Sequence, residues 1–229
     1  MGTTSETQFS FKRLTTDDLD TILHVQEIVV DSLEDPSILA ALTPEEYTYL
    51  LNDHGEMVGA FDQDKLIAIR AVLEPPIDEE HLGFDFGLSG DELEHILYQE
   101  ISMVLPSYRG HGLQQQLAKH IMNIVEQSSK AYTHICATVA PTNIPSLKDK
   151  FKQGMHTVML KKTYGDKWRY TFAKPMIETW KFDDSHSKTV PLHDVHEHQR
   201  LLDEGWYGVQ LVPKDESYMI TYQRRKSIS

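Results

Sequence analysis

The chain has 229 residues, 40% hydrophobic and 25% charged, with a formal net charge of −13 at pH 7. This composition is typical of a globular protein with a sizeable core, and the negative charge argues against general nucleic-acid binding. No apolar run approaches the roughly 20 residues that a membrane-spanning helix needs. The single cysteine, Cys136, has no partner for a disulfide or for a cysteine-based zinc site. The start, MGTTSETQFS, lacks the pattern of a signal peptide, so we expect a protein of the reducing cytoplasm.

Charge is distributed unevenly along the chain. Residues 1–105 carry 4 Lys/Arg and 23 Asp/Glu, whereas residues 106–175 carry 11 Lys/Arg and 3 Asp/Glu. Residues 176–229 are close to balanced, with 7 and 9. One interpretation is the ordinary drift of charge along solvated surfaces. The other is a protein that meets a cation with one half and an anion with the other.

The first half of the chain alternates strand and helix signals. A short strand is predicted at Phe9–Leu14, and Thr15 and Thr16 can cap the helix that follows. Thr43-Pro44-Glu45-Glu46 is a capping box, which predicts a helix at Glu45–Leu51. A hairpin is predicted around Asp62–Asp64, with strands Met57–Phe61 and Lys65–Leu73. Residues 74–90 are acidic and hold prolines and glycines, so we expect a loop there, packed by its aromatic residues Phe84 and Phe86.

The second half continues this alternation. A strand is predicted at His95–Val104, and apolar residues at helical spacing follow from Leu113 to Val125. Further strands are predicted at His134–Val139, His156–Lys162 and Lys167–Ala173, the last two joined at Tyr164-Gly165-Asp166, and a helix at Ser146–Gln153. The order predicts a mixed α/β fold with a mainly antiparallel sheet, flanking helices and one parallel crossover.

We assign residues 1–175 to one domain and residues 176–229 to an appended α+β segment. The segment begins with a polar stretch, Asp183–Lys188, and a short helix around His196–Glu204 is predicted after it. Strands are then predicted at Tyr207–Val212 and Tyr218–Tyr222. We expect this segment to pack on the main domain or to contact another subunit, as in a homodimer.

The corner between a predicted strand and a predicted helix reads LPSYRGHGLQQQL, from Leu105 to Leu117. The first N–H groups of a helix lack internal acceptors, and the helix dipole adds positive charge there, so such a corner can bind phosphate. Gly110 and Gly112 keep the backbone accessible, and Arg109 adds a full charge. A plain strand–helix turn is the alternative interpretation. A Rossmann fingerprint is excluded because Gln115 stands at its third glycine, and a Walker A loop because its Gly-Lys-Ser/Thr ending is absent.

The passage from Val104 to Leu113 resembles the acetyl-CoA-binding motif of the GNAT superfamily of N-acetyltransferases. Downstream, Asn143, Ser146 and Gly154-Met155 are similar to the second motif of that family. The resemblance covers roughly residues 9–175. It implies a GNAT-like twisted sheet, acetyl-CoA as cosubstrate and no metal.

The resemblance also implies roles for individual residues. The backbone of Met103 and Val104 would pair with the pantetheine arm, and Asn143 would bind the pantetheine or help place the thiol. The N–H groups of the corner would hold the pyrophosphate, namely those of Arg109, Gly110, His111, Gly112, Leu113 and Gln114. Lysines 148, 150 and 152 lie where charge near the phosphates would help, although a solvated helix face explains each one equally simply. Two departures stand out: Gln114 replaces a small residue of the motif, and Lys150 stands where many members have the tyrosine that protonates the leaving thiolate.

The resemblance also implies that a catalytic base lies on the strand before the corner, where the family often places it. In His95–Ser102, Glu100 is the one carboxylate in an otherwise apolar β run, and Tyr98 shares its face at period two. We therefore name Glu100 as candidate base and Tyr98 as its catalytic neighbour. The alternative is a carboxylate paired to a neighbouring strand or lying near a loop. The histidines at 193, 196 and 198 lack helical i, i+4 spacing, and a solvated stretch explains them better than a metal site does.

These observations predict an acetyl-CoA-dependent acyltransferase. It would move an acetyl group by direct attack to a primary amine of a small molecule or a peptide, and the acidic half would favour a cationic acceptor. No nucleic-acid or membrane partner is expected. Two rival hypotheses remain. One is a non-catalytic CoA or acetyl-CoA sensor or structural module of the same fold, and the other is a nucleotide-binding module that binds ATP but not CoA.

Overall fold

A computed structural model describes residues 9–163, 165–215 and 217–226. The prediction that the N-terminus is not a signal peptide concerns residues 1–10, of which residues 1–8 lie outside this range. Tyr164 of the predicted Tyr164-Gly165-Asp166 turn also lies outside it. The chain divides into two compact units. Unit 1 contains residues 1–74 and 99–129, and unit 2 contains residues 75–98 and 130–229.

Unit 1 combines antiparallel strands with three helices. Its strands are β1 (Ser10–Arg13), β2 (Gly55–Asp62), β3 (Lys65–Leu73) and residues 99–104 of β4 (Ile96–Val104). The strand order in this unit is β1-β2-β3-β4, and β1–β2 and β2–β3 are antiparallel pairs. The helices are α1 (Leu19–Asp31), α2 (Pro44–Tyr49) and α3 (Leu113–Gln127).

Local sequence accounts for much of unit 1. The capping box of Thr43 and Glu46 is formed, and the predicted hairpin is confirmed, with Gln63 in its turn at φ 54°. The buried face of α3 contains Leu113, Leu117 and Ile121, as its spacing predicts. Burial of these apolar side chains stabilises the unit because it removes them from water.

Unit 2 contains most of the remaining strands. They are β5 (His134–Val139), β6 (His156–Thr163), β7 (Lys167–Pro175), β8 (Phe182–Pro191), β9 (Trp206–Lys214) and β10 (Ser217–Arg225). Its helices are α4 (Ile144–Lys152) and α5 (Val195–Asp203). The first residues of β4 pair with β5 in parallel, and Ile96 faces His134 in the register. The strand order in this unit is β4-β5-β7-β6-β9-β10-β8, with antiparallel pairs beyond β5.

The loop predicted at residues 74–90 contains a short helical turn, Leu82–Phe86, and a second turn follows at Gly90–His95. Phe86 packs against His134 and Trp180, whereas Phe84 is 47% exposed. The expectation of a loop packed by both aromatic residues is therefore confirmed for Phe86 and wrong for Phe84.

Residues 176–229 add three strands and one helix to unit 2. The polar stretch Asp183–Lys188 belongs to β8, which pairs with β10, and most of its side chains are exposed. The histidine stretch is also not uniformly solvated: His198 is fully buried, with its ring nitrogens 2.7 Å from the Tyr222 hydroxyl and 2.9 Å from the Pro191 carbonyl oxygen. The division into a domain of residues 1–175 and an appendage stays a prediction.

The predicted fold class is confirmed: the protein is mixed α/β with a mainly antiparallel sheet and one parallel pair. In the described ranges, the structure contains no helix with the length and apolarity to cross a membrane. Those residues also include no group of three or more His, Cys, Asp or Glu side chains that could hold a metal ion.

Candidate functional site

The corner after β4 has a backbone that only glycine adopts easily. Gly110 and Gly112 have φ values of +87° and +69°, in the left-handed region that strains other L-residues. A Cβ atom added at either position would meet no heavy atom within 4 Å. The glycines are therefore required by the backbone path, and the space beside them is open to a ligand.

Five consecutive backbone N–H groups of the corner are open. The amides of Gly110, His111, Gly112, Leu113 and Gln114 donate to no acceptor within the described part of the chain, whereas those of Gln115 and Gln116 donate to the Gly112 carbonyl. The amide of Arg109 already donates to the Pro106 carbonyl, at 3.3 Å. The open N–H groups therefore begin at Gly110, and the part of all six residues in holding a pyrophosphate stays a prediction.

Hydrogen bonds hold the corner in place within unit 1. The Tyr108 hydroxyl donates to a carboxylate oxygen of Asp62 at 2.8 Å, and this bond raises the pKa of Tyr108. The Arg109 guanidinium donates to the Ser32 hydroxyl at 3.0 Å. His111 lies with Nδ1 3.1 Å from the Tyr108 carbonyl oxygen. These contacts fix the loop at Tyr108, Arg109 and His111.

The end of β4 shows the alternation expected of a strand with one buried face. Met103 is buried and Val104 is half-buried, so their side chains lie on opposite faces. At the end of the strand, the Leu105 amide donates to the Ile67 carbonyl of β3 at 2.9 Å. The strand therefore enters the corner tethered to its neighbour.

Arg70, which no sequence motif singled out, lies beneath this corner. Its side chain is 1% exposed, and its guanidinium donates to the Gln114 carbonyl at 3.2 Å and to Oε1 of Gln99 at 2.5 Å. The available signal was one arginine inside the apolar strand Leu66–Leu73, because a charge in such a strand needs partners or a function.

Glu100 lies in unit 1 on the face of β4 whose side chains are only partly buried, and most of its own side chain is shielded from solvent. Burial, and secondarily the charge of Glu46, raises the pKa of its carboxyl to about 7. A carboxylate with this pKa can accept a proton near neutral pH and release it again, which is the property of a general base.

Two further residues near Glu100 were not predicted from the sequence. Tyr47 in α2 is fully buried, and burial together with the charges of Glu100 and Glu46 raises the pKa of its hydroxyl. That hydroxyl donates to Oε1 of Gln26 at 2.8 Å, while Gln26 also exchanges two hydrogen bonds with the Leu42 backbone. The sequence did contain a signal for this pair, because Gln26 is a polar residue on the apolar face of α1.

Tyr98 belongs to unit 2. Its hydroxyl oxygen accepts a hydrogen bond from the Leu82 amide at 2.5 Å, and its ring packs against the core of Leu82, Leu93 and Cys136. Burial raises its pKa. The side chain of Tyr98 therefore stabilises the turn at Leu82–Phe86. Its role in catalysis stays a prediction.

Asn143 and Lys150 are both part of α4 in unit 2. Asn143 caps the helix, since its side-chain oxygen accepts from the Ser146 amide at 3.1 Å. Lys150 is not on a solvated face: it is buried, with Nζ 3.2 Å from Oδ2 of buried Asp149. Lys148 and Lys152, by contrast, are exposed. Cys136 is fully buried in the core of this unit, and burial raises the pKa of its thiol, as expected of a structural cysteine.

No protein-family model matches the chain. No curated protein matches it. Solved structures do. An acetyltransferase of the GNAT family from Streptococcus pneumoniae is 16% identical, with a TM-score of 0.56 over 74% of this chain and 100% of that chain.

Two further structures show the same similarity. NAA60 of Arabidopsis thaliana, in complex with acetyl-CoA, is 14% identical, with a TM-score of 0.58 over 75% of this chain and 100% of that chain. The ribosomal-protein-S18-alanine N-acetyltransferase of Escherichia coli is 12% identical, with a TM-score of 0.56 over 75% of this chain and 96% of that chain. Similarity at such low identity establishes the architecture, and it agrees with the two motifs in the sequence: the chain has the fold of the GNAT N-acetyltransferases.

Proposed function

We propose that the protein transfers an acetyl group from acetyl-CoA to the primary amine of a small molecule or a peptide. The observation that carries the proposal is the arrangement of one strand in unit 1. Glu100, whose pKa is raised to about 7, lies on β4, and the same strand leads directly into the corner with five open N–H groups.

The corner fits the pyrophosphate of acetyl-CoA. Backbone N–H groups at a helix start favour a phosphate by direct hydrogen bonds and by the helix dipole. Gly110 and Gly112 leave open space beside those groups, so that phosphate oxygens can reach the backbone. Bound here, acetyl-CoA would supply an activated acetyl thioester.

The chemistry at the acceptor requires a neutral amine. An amine arriving as an ammonium ion loses a proton, which Glu100 takes directly or through a water molecule. The amine nitrogen then forms a bond to the acetyl carbon, the bond from that carbon to sulfur breaks, and the sulfur leaves with the electron pair. A proton returned to the sulfur and a proton lost from the nitrogen complete the amide and the free thiol.

The acidic composition of residues 1–105 supports a cationic acceptor, because a field of negative charge draws cations to the surface. Glu46, exposed at the first turn of α2, acts on the pKa of Glu100 and so contributes to the field at the base. We also expect the protein to work in a reducing compartment such as the cytoplasm, with its single cysteine unpaired.

The experiment is an acetyl-CoA assay against a panel of amines, with release of free CoA thiol as the signal. The panel holds polyamines, lysine-containing peptides, peptides with free N-termini and matched acidic amines. We expect thiol release with at least one cationic amine and loss of that release in Glu100→Gln. Activity confined to acidic amines would contradict the cationic acceptor, and unchanged activity in Glu100→Gln would contradict the base.

A second candidate function rests on Lys150. This buried lysine stands where many GNAT members have the tyrosine that protonates the leaving thiolate. The alternative is therefore a sensor that binds acetyl-CoA without transferring the acetyl group. Such a protein would bind CoA tightly and release no thiol with any amine of the panel. Binding of ATP but not CoA would overturn both candidates in favour of a nucleotide-binding module.

A further inference from the structure

The buried arginine of β3 contacts the phosphate-binding corner from its inner side. Arg70 donates to the carbonyl of Gln114, whose amide is the last of the five open N–H groups. The arginine is 1% exposed, while Gly110 and Gly112 are exposed. A full positive charge thus lies within hydrogen-bond distance of the first turn of α3.

Placing a guanidinium in a protein interior is costly unless hydrogen bonds satisfy it. Arg70 donates one hydrogen bond to the backbone carbonyl of Gln114 and another to the side-chain oxygen of Gln99, a buried residue of β4. The guanidinium therefore connects three elements of unit 1, namely β3, β4 and the start of α3. Its planar, forked geometry suits two acceptors at a fixed angle better than the single head group of a lysine does.

We propose that Arg70 is a positioning residue for the CoA pyrophosphate. It fixes the first turn of α3 so that the amides of Gly110 to Gln114 converge, and its charge strengthens the positive potential at that corner. The inference rests on the proposed function, since it assumes that the corner binds a pyrophosphate. It also accounts for Gln114, where the GNAT motif usually has a small residue, because the contact that matters is made by the backbone carbonyl.

The charge can be tested without removing the arginine. In Gln99→Glu, a carboxylate of the same shape meets the guanidinium and neutralises it while keeping the hydrogen bond. Charges in a partly buried site interact more strongly than in water, so loss of the net charge of Arg70 should change the binding of an anionic pyrophosphate severalfold. We expect Gln99→Glu to raise the Kd for CoA about fivefold, and Arg70→Met to raise it at least tenfold.

The matched control is Arg169→Met. It removes another buried strand arginine, which lies in β7 of unit 2 and donates to the Trp168 carbonyl. We expect its Kd for CoA to stay within twofold of the wild-type value. Thermal melting of each variant establishes that it is folded, so Gln99→Glu keeps the proposal testable if Arg70→Met fails to fold.

Comparison of CoA with pantetheine distinguishes a positioning role of Arg70 from a purely structural one. Pantetheine shares the arm of CoA but lacks the pyrophosphate, so a residue that positions the pyrophosphate should not affect it. We expect Gln99→Glu to weaken CoA about fivefold and pantetheine less than twofold, both measured by calorimetric titration of the full chain.

The outcomes separate this inference from the proposed function. If the wild-type protein binds CoA and Gln99→Glu binds it equally well, or loses CoA and pantetheine alike, the inference about Arg70 is overturned alone. If the wild-type protein binds no CoA, the proposed function fails first and the inference fails with it.

Discussion

The ammonium group of Lys150 lies 3.2 Å from Oδ2 of Asp149, and both side chains are almost completely buried in unit 2. Gln153 donates to the same carboxylate oxygen at 2.8 Å. A lysine held in this way supports the fold, because the loss of one partner leaves a buried charge uncompensated. The sequence offers Lys150 as a candidate for the acid that protonates the thiolate, and its surroundings favour a structural role instead.

Lys150→Met is expected to lower the free energy of unfolding by about 3 kcal/mol, as removal of one partner from a buried ion pair usually does. Denaturant unfolding measures the change. Lys152→Met is the matched control on the same helix, because Lys152 is exposed, and its effect should stay within about 0.5 kcal/mol.

Lys150→Arg tests the remaining chemical role. It keeps the positive charge beside Asp149, but a guanidinium does not give up a proton in proteins. We expect the acetyl-transfer rate to fall less than threefold in this variant. A loss of a hundredfold in a folded protein would instead identify Lys150 as the general acid.

Glu100→Gln is expected to remove activity and raise stability together. The folded-state pKa of about 7 lies above the ordinary value of 4.5, so the folded protein holds this proton more tightly than the unfolded chain. The group therefore lowers stability progressively as the pH rises from about 4.5 to 7. At pH 8 the variant should gain on the order of 3 kcal/mol in unfolding free energy relative to the wild type. Equal free energies of unfolding of the two proteins at pH 8 would show that burial does not destabilise the charged form of Glu100.

The same pKa sets the pH dependence of catalysis. A base must be deprotonated to act, so kcat/KM should rise through an apparent pKa near 7 and level off above it. Initial rates between pH 5.5 and 9, with an amine from the panel, measure the profile. Glu46→Gln removes a neighbouring negative charge and should move the inflection to lower pH, whereas an inflection that does not move would show that Glu46 is not coupled to the base.

Gly112→Asn tests the phosphate-binding corner with little backbone strain. Asparagine tolerates positive φ better than most residues, and the added side chain enters open space, so the variant should fold. We expect the Kd for CoA to rise at least tenfold, because the side chain occupies the space beside the N–H groups.

Gly205→Asn is the matched control for this variant. Gly205 has a φ of +79° with nothing within 4 Å of an added Cβ, but it follows α5 in unit 2. Its substitution should cost similar stability and leave the Kd for CoA unchanged. If both variants lose CoA equally, the pyrophosphate assignment is wrong.

Because His156 is buried, we expect the free energy of unfolding of the protein to fall at acidic pH. Burial among Trp180 and Phe182, and secondarily the charge of Lys174, lowers the pKa of this imidazole to about 4. The unfolded chain binds the proton near pH 6.5, so the stability from the neutral ring is complete above that pH and is lost as the pH falls toward 4. His156→Gln should reduce the slope of unfolding free energy against pH by up to about 1.4 kcal/mol per unit in this range.

Glu100 contributes a slope of opposite sign between about pH 4.5 and 7, so each variant is compared with the wild type at the same pH. An unchanged difference between His156→Gln and the wild type from pH 7 to pH 4.5 would contradict the shifted histidine. A difference that shrinks as the pH falls would support it.

Much of the fold followed from local pattern. The hairpin of β2 and β3, the capping box of Thr43 and Glu46, and the extent of β5 each depend on residues close together in the chain. Local pattern misled at His198, which it placed in a solvated stretch, because burial of this ring depends on packing against Tyr222 of β10.

The sequence by itself determined the element order, the glycine corner and Glu100 as a charge in an apolar strand, since propensity and periodicity are properties of neighbouring residues. Only the tertiary structure decided that Arg70 lies beneath Gln114, that Tyr47 bonds to Gln26 and that the Arg109 amide is already used. The first two join residues 44 and 21 positions apart, and no local pattern specifies such a pair. The cost of burying a charge or a hydroxyl says that a partner must exist, and packing of the whole unit selects which one.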